Sequence, residues 1–378
     1  MDLKKPAILS ISLLTVMTNA AIAPMLRLIS ASFPAASPTF IKQVVTIPSL
    51  MIIIFSIISG QLERFLTKKA ILAIGLYGYL AGAFFSAMST SIMGLVIFRA
   101  VMGAAAGLIV PLASSLISDF YTGKERAKMV GYSSFTSYFG AAFAPILASW
   151  IGNEKWQNTF YIYLTALFVL LFTMGCIPNK QKMRAYSETG SRTKLNFMIY
   201  LLAFTGCILY VIFYLIPTDI SFLISKIPAT NPSHAAMLLA IEIIAAASAG
   251  VIFSHLTRNL DKRAFPLGFG LMALGFYIVY ISTSFPILIL GMIIIGLGIG
   301  TLRPLIIFQT AQASPPETTT TAFALVNSGF SLGQFVSPFF YLSITRVLSI
   351  NQVSGNYLIA AVFLLAAAII TIITSRSQ

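Results

Sequence analysis

The sequence predicts an all-α integral membrane protein. Twelve transmembrane helices form two six-helix bundles related by pseudo-symmetry. Three observations carry this. Of the 378 residues 58% are hydrophobic and only 9% charged, with a mean hydropathy of +0.91; a soluble chain carries about 25% charged residues. Twelve apolar stretches reach helix-spanning length. The second six repeat the first six at an offset of 193 positions. Pro24 maps to Pro217, Gly75 and Gly82 to Gly268 and Gly275, and Ser89-Thr90-Ser91 to Ser282-Thr283-Ser284. Gly103, Gly107 and Pro111 map to Gly296, Gly300 and Pro304, and Gly140 and Pro145 to Gly333 and Pro338. Glycine and proline set close backbone approach and bends, so a repeat that keeps them keeps helix packing.

The expected spans are 7–29, 43–61, 70–89, 94–117, 130–151 and 158–178 in the first half. In the second they are 195–217, 235–255, 264–283, 285–309, 320–345 and 355–374. Each is close to the roughly 20 residues that cross a bilayer. Lys4-Lys5 precedes span 1 with no clear cleavage signature after it, which reads as an uncleaved helix. The domains expected are a bundle over 1–178, a basic cytoplasmic linker over 179–194 and a second bundle over 195–378. Parallel repeats of this kind are related by an axis along the membrane normal, with substrate sites near the midplane.

Charge supplies the orientation. With a cytoplasmic N-terminus, Arg64, Lys68, Lys69, Lys124, Arg126, Lys128 and the basic linker lie inside. The opposite segments hold only Arg27, Lys42, Lys155, Lys226 and Arg346. That is the positive-inside distribution of a cell-membrane protein with both termini cytoplasmic. It accounts for the net charge of +14 without nucleic acid. Cys176 and Cys207 have no partner spacing, so neither a metal site nor a disulfide framework is expected. The sequence has no phosphate-binding Gly-x-x-x-x-Gly-Lys-Ser/Thr loop, so no nucleotide cofactor is expected. His234 and His255 stand near opposite ends of one helix, which leaves no cluster with catalytic spacing.

The loop after span 2 reads Ser59-Gly60-Gln61-Leu62-Glu63-Arg64-Phe65-Leu66-Thr67-Lys68-Lys69. It resembles the signature loop of the major facilitator superfamily, in which Gly, three residues, Asp-Arg, one residue and Gly precede basic residues. Ser59 and Leu66 stand where the family has glycine. The second-half loop, Thr257-Arg258 with Asp261-Lys262-Arg263, keeps the basic residues and loses the acid. The resemblance implies a twelve-helix transporter of the drug and metabolite efflux type, working by alternating access. It implies that Glu63, Arg64, Lys68 and Arg258 govern conformational change. It also implies that Glu63 acts near the start of span 11, where Glu317 and Thr318 to Thr321 offer a capped helix start. Span 5 carries Gly140-Ala-Ala-Phe-Ala-Pro145, similar to the family's antiporter motif with Ala or Ser at three glycine positions. Gly140 and Pro145 thereby point to export. Independently, Thr136, Gly140, Ala144, Ala148 and Gly152 share one helix face, a surface on which a neighbour packs closely.

Charged residues inside spans are the candidate site. Arg99 in span 4 matches the family arginine linked to coupling or substrate binding; snorkelling to the outer surface is the alternative. Arg303 lies beside Pro304 in span 10, where snorkelling to the cytoplasm competes with substrate binding. Glu242, in span 8, stands among Ala235, Leu238, Ala245, Ala246 and Ala249. It reads either as the proton-coupling acid or as the partner of an arginine. Asp219, after Pro217, is the second proton-coupling candidate. Span 1 has Asn19 but no carboxyl, a departure from many drug/proton antiporters of the family. Asn19, Tyr138, Tyr210, Tyr214, Asn327 and Gln334 complete the expected substrate-binding set. The expected protein is not an enzyme. It is a proton-coupled exporter of small organic molecules, multidrug-type, acting as a monomer with the bilayer and its substrate as partners. Two intramembrane arginines against one glutamate keep open an exporter of an anionic metabolite or metal chelator; a nutrient uptake permease is the third reading.

Overall fold

The computed structural model describes residues 4–177, 195–225, 227, 230–256, 264–314, 318–348 and 353–376. The chain divides into two compact units, Met1–Gly190 and Ser191–Gln378. The expected linker 179–194, Arg258 and Glu317 lie outside the described residues.

The first unit opens with α1 (Lys4–Ala20), a 3-10 turn (Ala23–Met25) and α2 (Leu26–Ser32). It continues with α3 (Pro38–Leu62), α4 (Lys68–Ala87), α5 (Ile92–Phe120) and α6 (Gly123–Ile151). A 3-10 segment, Trp156–Leu164, leads into α7 (Thr165–Cys176). The second unit runs α8 (Phe197–Phe213), α9 (Leu215–Ile224), α10 (Pro232–Leu256), α11 (Ala264–Ile281), α12 (Phe285–Ala313), α13 (Thr319–Val347) and α14 (Val353–Arg376).

Local chemistry explains the boundaries. Ser37, Thr67 and Ser91 cap α3, α4 and α5 by accepting from the amides of Phe40, Ala70 and Gly94. Proline explains the breaks in the first span of each unit. Pro24 has no N–H for the carbonyl of Ala20, and α1 ends at Ala20. Pro217 has none for Phe213, and α8 ends at Phe213. The same interruption, at repeat-related positions, divides spans expected to be continuous.

The repeat persists in the packing. In the first unit α5 packs on α3 and α4, and α1 on α6; in the second α12 packs on α10 and α11, and α8 on α13. Glycine sets the distances. A Cβ on Gly75 would sit 2.7 Å from Ile109 Cγ1, and one on Gly268 2.6 Å from Leu302 Cγ. On Gly82 it would meet Met102 Cγ at 2.6 Å, and on Gly275 Ile295 Cγ1 at 2.6 Å. Ile109 and Leu302, and Met102 and Ile295, are themselves related by the offset of 193. Gly103 lies on the backbone of Pro48, as Gly296 and Gly300 lie on the backbone of Glu242 and Ala246. At each of these positions a Cβ would force its neighbour to move.

Among the described residues, 10 helical segments are long and apolar enough to cross a membrane. The other two expected spans correspond to α6 and α13, which are each other's counterparts in the repeat. Each has 29 residues, about 43 Å of helix against a hydrocarbon core of about 30 Å. Polarity, not length, sets them apart. Ser133, Ser134, Thr136 and Ser137 interrupt α6, and Asn327, Ser328, Ser331, Gln334 and Ser337 interrupt α13.

Candidate functional site

In the first unit the chemistry centres on Arg99, whose side chain is completely buried on α5. Its Nε donates to the Val44 carbonyl at 2.8 Å and its second terminal nitrogen to the Thr18 carbonyl at 2.6 Å. The other terminal nitrogen reaches Tyr163 Oη at 3.4 Å. The Tyr163 hydroxyl also donates to the Thr18 carbonyl, and Thr18 Oγ1 donates to Tyr79 Oη. One guanidinium thus fastens α1, α3, α5 and the Trp156–Leu164 segment. Thr18 lies two residues before the end of α1. Arg99 does not snorkel; substrate contact at Arg99 would require these bonds to open. Asn19 donates to Ser49 Oγ at 2.9 Å. On α6, Ser133 pairs with Ser12, and Ser137 donates to the Ser12 carbonyl. Gly140 faces Leu13. The small face of α6 therefore seats α1, leaving Tyr138 exposed and Pro145 inside the helix.

Beyond the end of α3, Lys68 Nζ stands 3.8 Å from Glu63 and closer to Asp119, and also donates to Ser115. Partial burial raises the Glu63 carboxyl above its ordinary 4.5; Lys68 opposes the rise and Asp119 adds to it. Arg64 sits in the turn that follows Glu63. This ties the expected signature residues Glu63 and Lys68 to the foot of α5 through Asp119 and Ser115, neither of which the motif names.

In the second unit Glu242 is 4% exposed on α10. No hydrogen bond or ion pair to its side chain is found among the described residues. Its neighbours are apolar, and its own carbonyl is where Gly296 of α12 makes its closest approach. Burial of a carboxylate without a partner is costly, and such groups are rare inside spans. Asp219, fully buried on α9, differs: its Oδ2 accepts from Asn356 Nδ2 of α14 at 2.9 Å. Tyr341 and Tyr357 lie within electrostatic reach of it.

Arg303 on α12 is exposed. Its guanidinium carbon stands 5.9 Å from the Tyr210 ring centre and 5.8 Å from that of Phe330. The two rings are 4.8 Å apart. Phe330 fits because residue 206 is glycine; a Cβ there would be 2.6 Å from the ring. Tyr214 forms the junction of α8 and α9 and is buried. Gln334 is half-buried on α13, and Asn327 is exposed with its amide donating to the Phe323 carbonyl. Of the expected set, the structure brings Arg303 and Tyr210 together.

Comparison with known proteins defines the family. A model of the Major Facilitator Superfamily matches residues 8–225 and 202–377. The chain belongs to the major facilitator superfamily. It is a multi-pass membrane transporter and not an enzyme. The multidrug transporter protein MdtP of Bacillus subtilis is 28% identical over 127 residues, 33% of this chain and 24% of that protein. The chain therefore matches about a quarter of that relative's length. A bacterial homologue of the human lysosomal transporter Spinster, in its inward-facing and occupied conformation, superposes with a TM-score of 0.81 at 16% identity. That alignment covers 99% of this chain and 97% of the other. A D-xylose-proton symporter gives 0.76 at 15% identity, covering 98% and 96%. At these identities the likeness is one of fold.

Within this superfamily member, sequence reasoning missed Tyr163, Phe330, Asn356 and Asp119. A signal existed for three of them. Tyr163 and Asn356 are separated by the repeat offset of 193, and each meets a buried ionisable side chain of its unit, Arg99 or Asp219. Phe330 had its own mark in Gly206, the residue that makes room for it.

Proposed function

We propose that this superfamily member is a secondary-active exporter of small organic molecules, multidrug-type, that exchanges inward-moving protons by alternating access. It resides in the cell membrane with both termini cytoplasmic and works as a monomer. The observation that carries the reading is Glu242: a buried carboxyl in the middle of a span, with no side-chain partner among the described residues. Such a group binds and releases a proton as its surroundings alternate between dry and wet, which is the element a proton-coupled carrier needs. Asp219, already bonded to Asn356, is the lesser candidate. Export is supported by the multidrug relative and by the small-residue face of α6 around Gly140 and Pro145.

The test uses purified protein in liposomes with an acid lumen and a pH-sensitive dye. Substrate addition should release lumenal protons with wild type, and Glu242→Gln should abolish that release while still binding substrate. Unchanged gradient-driven transport by Glu242→Gln would remove Glu242 as the carrier. Asp219→Asn then decides whether the second carboxyl has the role.

A further inference from the structure

We infer that α6 carries a docking stripe for an anionic phospholipid of the leaflet at its N-terminal end. The headgroup lies on Lys124 and Lys128 and an acyl chain runs along Phe135 and Phe139. The inference concerns the first unit alone and does not depend on Glu242 or on the direction of transport.

The first step is which residues share a face. Positions 124, 128, 131, 135 and 139 follow one another at steps of three and four, so they line one side of α6. In order they are Lys124, Lys128, Gly131, Phe135 and Phe139. Both lysines are exposed, and so are the rings, at 69% and 48%. Phe135 and Phe139 stack with their centres 6.2 Å apart and their planes 29° apart. A Cβ on Gly131 would meet nothing within 4 Å. The surface between the cations and the rings is therefore open, and one side chain lower than its flanks.

The second step is charge. Among the described residues no hydrogen bond or ion pair holds the side chain of Lys124 or Lys128. The loop before α4 differs: Lys68 is engaged by Asp119 and Ser115, and Lys69 by the Met174 carbonyl. Cations in the first turns of a helix oppose its macrodipole, and Thr122 gives α6 no side-chain cap. The acid of the first turn, Glu125, stands about 100° round the helix from Lys124. An anion on the lysine face offsets the charge that the fold leaves standing there.

The third step is length. From Lys128 to Phe139 is eleven residues, about 16 Å of helix. That is half of a hydrocarbon core of about 30 Å. With the lysines in the headgroup layer, where such charges belong, the stripe reaches to the midplane. A single lipid of one leaflet covers the same distance. A soluble organophosphate would use the lysines alone, and a neutral lipid the rings alone. An anionic phospholipid uses both.

Native mass spectrometry of the purified full-length protein in non-ionic detergent tests it, with phosphatidylglycerol and phosphatidylcholine of the same acyl chains as probes. Wild type should bind phosphatidylglycerol the more tightly. A near-surface cation is worth about fivefold in affinity for anionic lipid. Lys124→Gln with Lys128→Gln should therefore weaken phosphatidylglycerol by roughly twentyfold and leave phosphatidylcholine unchanged. Arg27→Gln with Lys155→Gln removes the same charge from the opposite segments and should bind both lipids like wild type. Phe135→Ala with Phe139→Ala should weaken both lipids, and glycerophosphate should displace neither. If the double lysine variant does not stay monodisperse, Lys128→Gln alone, with a loss of about fivefold, carries the same decision. Equal binding of the two lipids by wild type, undiminished phosphatidylglycerol binding by the lysine variant, or the same loss in the Arg27 and Lys155 control overturns the site. Binding that ignores the phenylalanines, or that glycerophosphate displaces, assigns the lysines to a free organophosphate and overturns the lipid.

Discussion

Gly300→Ala tests whether the glycine repeat sets the helix spacing of the second unit. A Cβ on Gly300 would stand 2.7 Å from Ala246 Cα and 2.8 Å from Ala246 C, and nearer still to the Ala246 carbonyl oxygen. Carbon atoms pack at about 3.5–4.0 Å, so α10 must retreat from α12 by about 1 Å. The obstacle is backbone, which no rotamer change relieves, and overpacking of this kind costs about 1–3 kcal/mol. Gly270→Ala is the matched control: nothing lies within 4 Å of its Cβ position. There the substitution should stabilise α11 by up to about 1 kcal/mol through helix propensity. The two variants add the same methyl group and share the propensity gain, so they should differ by the overpacking cost, about 1–3 kcal/mol. The assay is the temperature at which half the detergent-solubilised protein loses monodispersity in size-exclusion chromatography. Gly300→Ala should fall below wild type and Gly270→Ala should match or exceed it. Gly107→Ala, whose Cβ would meet Phe55 Cβ at 2.8 Å and Ile52 Cα at 3.0 Å, should repeat the loss in the first unit. If Gly300→Ala melts with Gly270→Ala, glycine is not what fixes the contact.

Three further outcomes follow from buried and half-buried polar groups. Arg99→Ala orphans the Thr18 and Val44 carbonyls and should destabilise the first unit by about 3–5 kcal/mol, with Arg99→Lys intermediate, read by the same thermal assay. Asn356→Ala removes the donor to Asp219 Oδ2 and should cost about 1.5–3 kcal/mol; exchanging the two residues, Asp219→Asn with Asn356→Asp, should recover most of it. Glu63 has a raised pKa chiefly through burial, so the folded state holds its proton more tightly than the unfolded chain. Its contribution to stability should be greatest near pH 4.5 and below, and decline as pH rises from there through the raised value. Glu63→Gln should flatten that part of a melting-temperature scan against pH, and a scan as steep as wild type would assign the slope elsewhere.

Most of the fold was legible because glycine and proline write backbone geometry directly into the sequence. Pro24 and Pro217 stop α1 and α8 four residues upstream, and the offset of 193 survives as atomic contacts at Gly75 and Gly268. Glu242 was legible as a lone acid in an apolar run. The surroundings of Arg99 were not, because backbone carbonyls such as those of Thr18 and Val44 carry no residue signature. Asn356 lies 137 residues from Asp219, and only the folded unit joins them. Arg303 was placed by sequence at the cytoplasmic side of its span. Its guanidinium lies within 6 Å of the Tyr210 and Phe330 ring centres, a grouping that only the folded unit makes.

The shortage of apolar residues in α6 and α13 bears on how the chain is made. A helix interrupted by four hydroxyl residues, as α6 is at Ser133, Ser134, Thr136 and Ser137, gains little by entering lipid alone. Docked on α1, two of those hydroxyls are satisfied by Ser12, and insertion becomes favourable. The counterpart α13 finds α8 in the same way, with Gly329 and Gly333 against Ala203 and Cys207 and the Tyr341 hydroxyl on the Ile212 carbonyl. In each unit, then, the first helix must wait in the bilayer for the fifth. Some hundred residues separate the end of α1 from the start of α6, a delay of roughly 5–20 s at ordinary rates of synthesis. Biogenesis of this transporter accordingly proceeds in two rounds, each ending when a helix unfit to insert by itself finds the partner synthesised first.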